Sequence, residues 1–96
     1  MSVVDATFSG AVTAGAADAA LRSEDHGRTE IIVVNTHATQ GAYLQLPTER
    51  GVPKAAVVGE GVYLAPAGGS WSSTSWKGAV RCIATGASTI LTVVDY

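Results

Sequence analysis

The sequence predicts a single all-β domain, a small β-sandwich or jelly-roll-like fold of seven or eight short, mainly antiparallel strands. Three observations carry this expectation. β-Branched runs alternate with Gly/Ser/Thr turns along the whole chain. Only residues 14–20 (AGAADAA) have a helix-favouring composition. Finally, 96 residues leave room for one core and not for two.

The elements follow in chain order. Residues 3–8 alternate loosely and read as a strand or an extended arm, which divides the chain into an arm or first strand over 1–12 and a sandwich over 13–96. The alanines of 14–20 suit a helix, but Gly15 and the short length favour an extended strand ending at Leu21 and Arg22. Residues 23–29 (SEDHGRT) form a polar turn in which Gly27 suits a positive φ. Residues 30–36 (EIIVVNT) give the clearest strand, with Ile31 and Val33 on one face and Ile32 and Val34 on the other. Residues 42–46 alternate, with Ala42, Leu44 and Leu46 inward and Tyr43 and Gln45 outward, until Pro47 blocks the ladder. Residues 48–60 read as a long loop around a short apolar patch, and such loops in small domains are commonly functional or mobile. A short strand at 61–65 stops at Pro66, a tight turn follows at 67–70, and residues 71–76 (WSSTSW) are an edge-like strand or loop. Residues 78–84 and 88–96 are the last strands, joined through a hairpin at 85–87. The expected core is Ile31, Val33, Ala42, Leu44, Leu46, Val62, Leu64, Val80, Cys82, Ile90 and Val94.

Strands 30–36 and 88–96 are apolar on both faces, whereas an antiparallel sandwich strand ordinarily shows one polar face. Either a loop covers the second face or that face is an interface. The composition bears on the choice. The chain is 47% hydrophobic and only 15% charged, against roughly 25% charged in an average soluble protein. A small sandwich with so few charges has surface suited to cover by another molecule.

Net charge is −2, and the six Lys and Arg residues are scattered, so there is no basic stripe for phosphates and no direct nucleic-acid partner is expected. Cys82 is the only cysteine, which excludes an intrachain disulfide or a cysteine-based zinc site, and its apolar strand makes it a small buried hydrophobe. The start Met-Ser-Val-Val-Asp lacks a signal peptide's basic and apolar regions, and no apolar run reaches the ~20 residues of a membrane span. Synthesis in a cytoplasm and no membrane partner are therefore expected.

No set of residues points to catalysis. Residues 59–64 (GEGVYL) begin like a dinucleotide fingerprint, but Leu64 stands at the third glycine position and no βαβ unit surrounds it. His26 and His37 lie in different polar turns without carboxylates at ligand spacing, and Asp25 next to His26 makes a dyad on paper only. Ser70, Ser72, Ser73 and Ser75 have no positioned base. A non-enzymatic protein without metal or other cofactor is expected. Trp71 and Trp76, five positions apart, have opposite parity, so one can fill the core while the other faces outward. That second tryptophan either plugs an end of the sandwich or anchors an interface.

The order of pieces from residue 13 onward resembles a family of small β-sandwich virion proteins of tailed bacteriophages. The resemblance is carried by Ala19-Ala20-Leu21, the turn arginine Arg28, the β-branched strand ending in Asn35-Thr36, and Ala42-Tyr43-Leu44-Gln45-Leu46. It continues through residues 61–70 (GVYLAPAGGS), 76–80 (WKGAV) and a terminal segment rich in Thr and Val, and covers about four-fifths of the chain. The long segment 48–60 departs from the pattern. The resemblance implies a capsid decoration (cement) or minor head protein located in the virion, whose partner is the major capsid protein or another virion protein.

Two functional expectations follow. In the first, the protein docks on the exterior of a phage head and stabilises the shell, as a homo-oligomer for which a trimer suits the three-fold positions of shells. Its candidate interface residues are Val3, Val4, Phe8, Tyr43, Tyr63, Trp71 and Trp76. In the second, it is a tail-fibre or head-spike module that binds a host-surface glycan or receptor, with exposed aromatics stacking on sugars. Receptor-binding modules usually extend from a longer shaft, and a short chain starting at Met1 favours the first.

Overall fold

The strands pair as if one long hairpin had been rolled up. In the computed structural model, which describes residues 8–46 and 55–96, eight strands form: β1 (Phe8–Ala14), β2 (Ala19–Arg22), β3 (Ile31–Asn35), β4 (Ala42–Gln45), β5 (Val62–Leu64), β6 (Ser70–Ser73), β7 (Val80–Ala84) and β8 (Thr89–Asp95). β1 pairs with β8, β2 with β7, β3 with β6 and β4 with β5, all antiparallel. Two further antiparallel pairings, β3 with β8 and β4 with β7, close this ribbon into two four-stranded sheets. Sheet A has the order β1-β8-β3-β6 and sheet B the order β2-β7-β4-β5, the arrangement of an eight-stranded jelly roll. No helix is present among the described residues.

The core lies between the sheets and follows from the period-2 alternation of each strand. Sheet A contributes Ile31, Val33, Leu91 and Val93, and sheet B contributes Leu21, Ala42, Leu44, Leu64, Val80 and Cys82. Leu46, Val62, Trp71 and Trp76 pack partly buried against this cluster.

Four expectations change. Ile90 and Val94 are not core residues: Ile90 is 44% exposed and Val94 only half-buried, while Leu91 and Val93 have no exposure. Both faces of this strand are apolar, so its alternation did not say which one turns inward. The pairing of Val33 with Val93 and of Asn35 with Leu91 settles it. Second, residues 85–87 do not make a hairpin, because β7 and β8 belong to different sheets and the turn crosses between them. Third, Gln45 points outward as expected and is nevertheless buried. Ala56, itself buried, donates its amide to Asp18 Oδ1 at 2.7 Å, and Asp18 also binds Arg81, the register partner of Gln45. The segment around Ala56 thus lies against the outer side of sheet B. Fourth, the tryptophans do not split between inside and outside, since both are half-buried against the core. β6 ends at Ser73, whose Oγ accepts the amides of Ser75 and Trp76, so strand parity does not extend to Trp76.

Each end of the sandwich is closed by a buried polar residue. At one end Asn35 Nδ2 donates to the carbonyls of Gln40 and Leu64, at 2.8 and 3.1 Å, and its Oδ1 accepts the His37 amide. It thereby ties β3 to the end of β5 in the other sheet. At the opposite end Arg28 donates to the Asp95 carboxylate and to the carbonyls of Ser23, Trp76 and Gly78. Every polar atom taken from water there finds a partner. Gly61 permits the return into β5. It has φ +84°, and an added Cβ would lie 2.1 Å from the Leu44 carbonyl oxygen.

Candidate partner-binding surfaces

Strand alternation sends the odd residues of β3 and β8 into the core and leaves their even residues on the outside of sheet A. Register then aligns these outward positions in rows across four strands. One row runs Ser9, Val94, Ile32, Ser72, the next Ala11, Thr92, Val34, Ser70, and a shorter one joins Thr13 to Ile90. None of these residues is charged. The two central strands carry β-branched side chains, apolar at Ile90, Val94, Ile32 and Val34 with Thr92 between them, and the edge strands carry Ser, Thr and Ala. Of the two readings open for the doubly apolar strands, cover by a loop does not occur among the described residues, as Ile90 remains 44% exposed and Thr92 is exposed.

The outside of sheet B differs. Tyr43 and Tyr63 are directly opposed on β4 and β5, with ring centroids 5.0 Å apart and planes tilted by 42°. Tyr63 is 53% exposed, and its ring lies over Gly41, where an added Cβ would meet it at 2.7 Å. Beside this pair an Arg81–Asp18 ion pair ties β7 to the residue that precedes β2. Arg81 Nε donates to Asp18 Oδ1 at 3.2 Å, and Nη2 donates to Oδ2. The hydrogen bond from Arg81 and the Ala56 amide hold the Asp18 carboxyl below its ordinary value against the opposing effect of burial, and the same pair raises Arg81. Val57 and Val58, 46% and 49% exposed, follow Ala56.

The expected interface residues therefore do not form one patch. Tyr43 and Tyr63 come together on sheet B. Trp71 lies on the inward register of β6 opposite Val33, and Trp76 packs its ring on Gly78 while Nε1 donates to the Ala79 carbonyl at 3.2 Å. Both serve the core. Phe8 begins β1 and pairs with Asp95, whereas Val3 and Val4 lie outside the described residues. The face of sheet A was only half legible. Ile32, Val34 and Ile90 showed in the doubly apolar runs, while Ala11, Thr13 and Thr92 did not. Their signal is the absence of any charge from 8–14 and 88–94.

The polar groups that could suggest chemistry are engaged in turns. Asp25 Oδ1 accepts the Gly27 amide, and His37 Nδ1 accepts the amides of Thr39 and Gln40. Among the described residues no three His, Cys, Asp or Glu side chains gather at metal-binding distance. Burial pushes the Cys82 thiol up to about 11, leaving it protonated and unreactive at neutral pH. Among the described residues no helix is long and apolar enough to cross a membrane. No family model matches the chain, and no curated protein or solved structure matches it either.

Proposed function

We propose that the protein is a structural virion component that binds the exterior of a tailed-phage capsid, as a decoration or minor head protein, and stabilises the shell. The carrying observation is the charge-free outer face of sheet A. The centre of a protein–protein interface is depleted of charge, and a contiguous apolar patch on a small domain marks an interaction site. The order of motifs from residue 13 onward and the recurrence of jelly rolls in capsid proteins support the choice of partner, the latter by analogy of fold alone. The major capsid protein is the proposed partner, and the virion the proposed location.

The test is to mix purified protein with empty heads and measure co-sedimentation. Saturable, stoichiometric binding that is lost in Val34→Glu, a change in the centre of the outer face, is the expected result. Binding that never saturates, or that Val34→Glu leaves unchanged, overturns the proposal.

One observation favours a second reading, a glycan- or receptor-binding module. The Tyr43–Tyr63 pair presents an exposed aromatic surface of the kind on which a sugar ring stacks. Chemical-shift changes confined to the Tyr63 ring on titration with host-surface polysaccharide, abolished by Tyr63→Ala, would select it.

A further inference from the structure

Two sheets of four strands have four edges, and three of them are blunted. β5 is three residues long and is bounded by Gly61 and Pro66. β6 has four residues and is ended by the Ser73 turn. β2 is interrupted by a register shift between Ala20 and Arg22, and Arg22 binds the Asp95 carboxylate. Short length, bulges, proline and charge are the devices that keep an edge from pairing with another chain. β1 has none of them. It is seven residues long, pairs without a register shift along its whole length with β8, and contains no charge and no proline. Among the described residues nothing pairs with its other side.

We propose that β1 is a pairing edge whose occupant is the β1 strand of a second copy of this chain, joined antiparallel across a two-fold axis at Ala11. Symmetry makes this contact self-complementary, since Ala11 meets Ala11, Gly10 meets Val12, and Ser9 meets Thr13. No like charges are brought together because the strand has none. The outward side chains on either side of the new ladder are Ser, Ala and Thr, small enough for the two edges to approach at the ordinary strand spacing of about 4.8 Å. The free amides and carbonyls of both edges become paired. The two charge-free outer faces become one continuous eight-stranded face. The inference goes beyond the proposed capsid role and does not rest on it.

The test reads mass in solution. Sedimentation equilibrium of the full chain over a wide concentration range is expected to show reversible dimerisation. Ala11→Lys changes an exposed position in the middle of the edge, and is expected to give a monomer whose circular dichroism and melting temperature match the parent at monomeric concentration. Ser9→Lys serves as a second edge variant should Ala11→Lys fold poorly. Ser72→Lys, on the same face at the opposite edge, is expected to leave the dimer intact. Ala11→Cys is expected to form a disulfide-linked dimer on mild oxidation, Cys82 being buried. A chain that stays monomeric at all concentrations overturns the proposal, as does a dimer or trimer that resists both edge lysines or is dissociated by Ser72→Lys. The capsid role fails separately, through head binding by Val34→Glu.

Discussion

Arg28 and Asp95 meet inside the protein with no side-chain exposure on either partner, Arg28 Nε lying 3.1 Å from Asp95 Oδ1. They are 67 residues apart and join the turn before β3 to the end of β8. Arg22 binds the second carboxylate oxygen at 3.0 Å, so one carboxylate gathers guanidinium groups from two sides. Without Arg28 the buried Asp95 carboxylate keeps Arg22, and the carbonyls of Ser23, Trp76 and Gly78 lose their donor; removing one partner from a buried ion pair costs about 3–5 kcal/mol. Arg28→Met is expected to lose that much in urea unfolding, a large share of the about 5–15 kcal/mol typical of a domain. Arg28→Lys is expected to fail as a substitute, because an ammonium group cannot reproduce a planar fork that reaches Asp95 and three carbonyls.

The inward face of β8 is tested by neighbouring truncations. Leu91 is fully buried and Ile90 is 44% exposed. Leu91→Ala is expected to cost about 2–5 kcal/mol and Ile90→Ala under about 1 kcal/mol in chemical denaturation. The reverse order would mean that β8 presents its other face to the core.

Cys82 is expected to be silent to an aromatic disulfide reagent at pH 8 in the native protein and to react on unfolding. The thiol is pushed up to about 11, chiefly by burial, from 9.0. The folded state thus holds its proton more tightly. The stability this group contributes is whole below pH 9 and is lost as the pH rises toward 11. A rapid reaction with native protein at pH 8 would contradict the buried position.

The Asp18–Arg81 pair sets an acid limit on the docking of the Ala56 segment. The folded carboxyl titrates below 3.8, so its contribution to stability is complete above that pH and declines as the pH falls through the lower folded value. Asp18→Asn removes the charge at every pH. The gap in melting temperature between parent and Asp18→Asn is expected to be constant at pH 5–7 and to close below pH 3.8. In Asp18→Asn the Ala56 amide, which donates to the carboxylate in the parent, is expected to exchange faster with deuterium.

Two residues of the motifs read from the sequence have architectural roles. Arg28 and Asn35, at opposite ends of β3, close the two ends of the sandwich through hydrogen bonds to main-chain carbonyls. These two residues therefore bear on the fold, and the main support for a partner comes from the outer face of sheet A.

The sequence by itself determined the strand class, most strand positions and the inward side of β4, because alternation and strand-stopping prolines are local properties of the chain. It also determined that β3 and β8 are apolar on both sides. Which side of β8 turns inward, which strands become neighbours, and where the uncharged residues collect were decided by tertiary structure. The physical reason is the pairing pattern. Apart from β4 and β5, strands adjacent in the chain never pair, and β1 meets β8 from opposite ends of the described chain. A face built from residues near 10, 33, 71 and 92 has no local signature beyond the absence of charge in each piece. Those pieces become one surface only when long-range antiparallel pairing brings them into register.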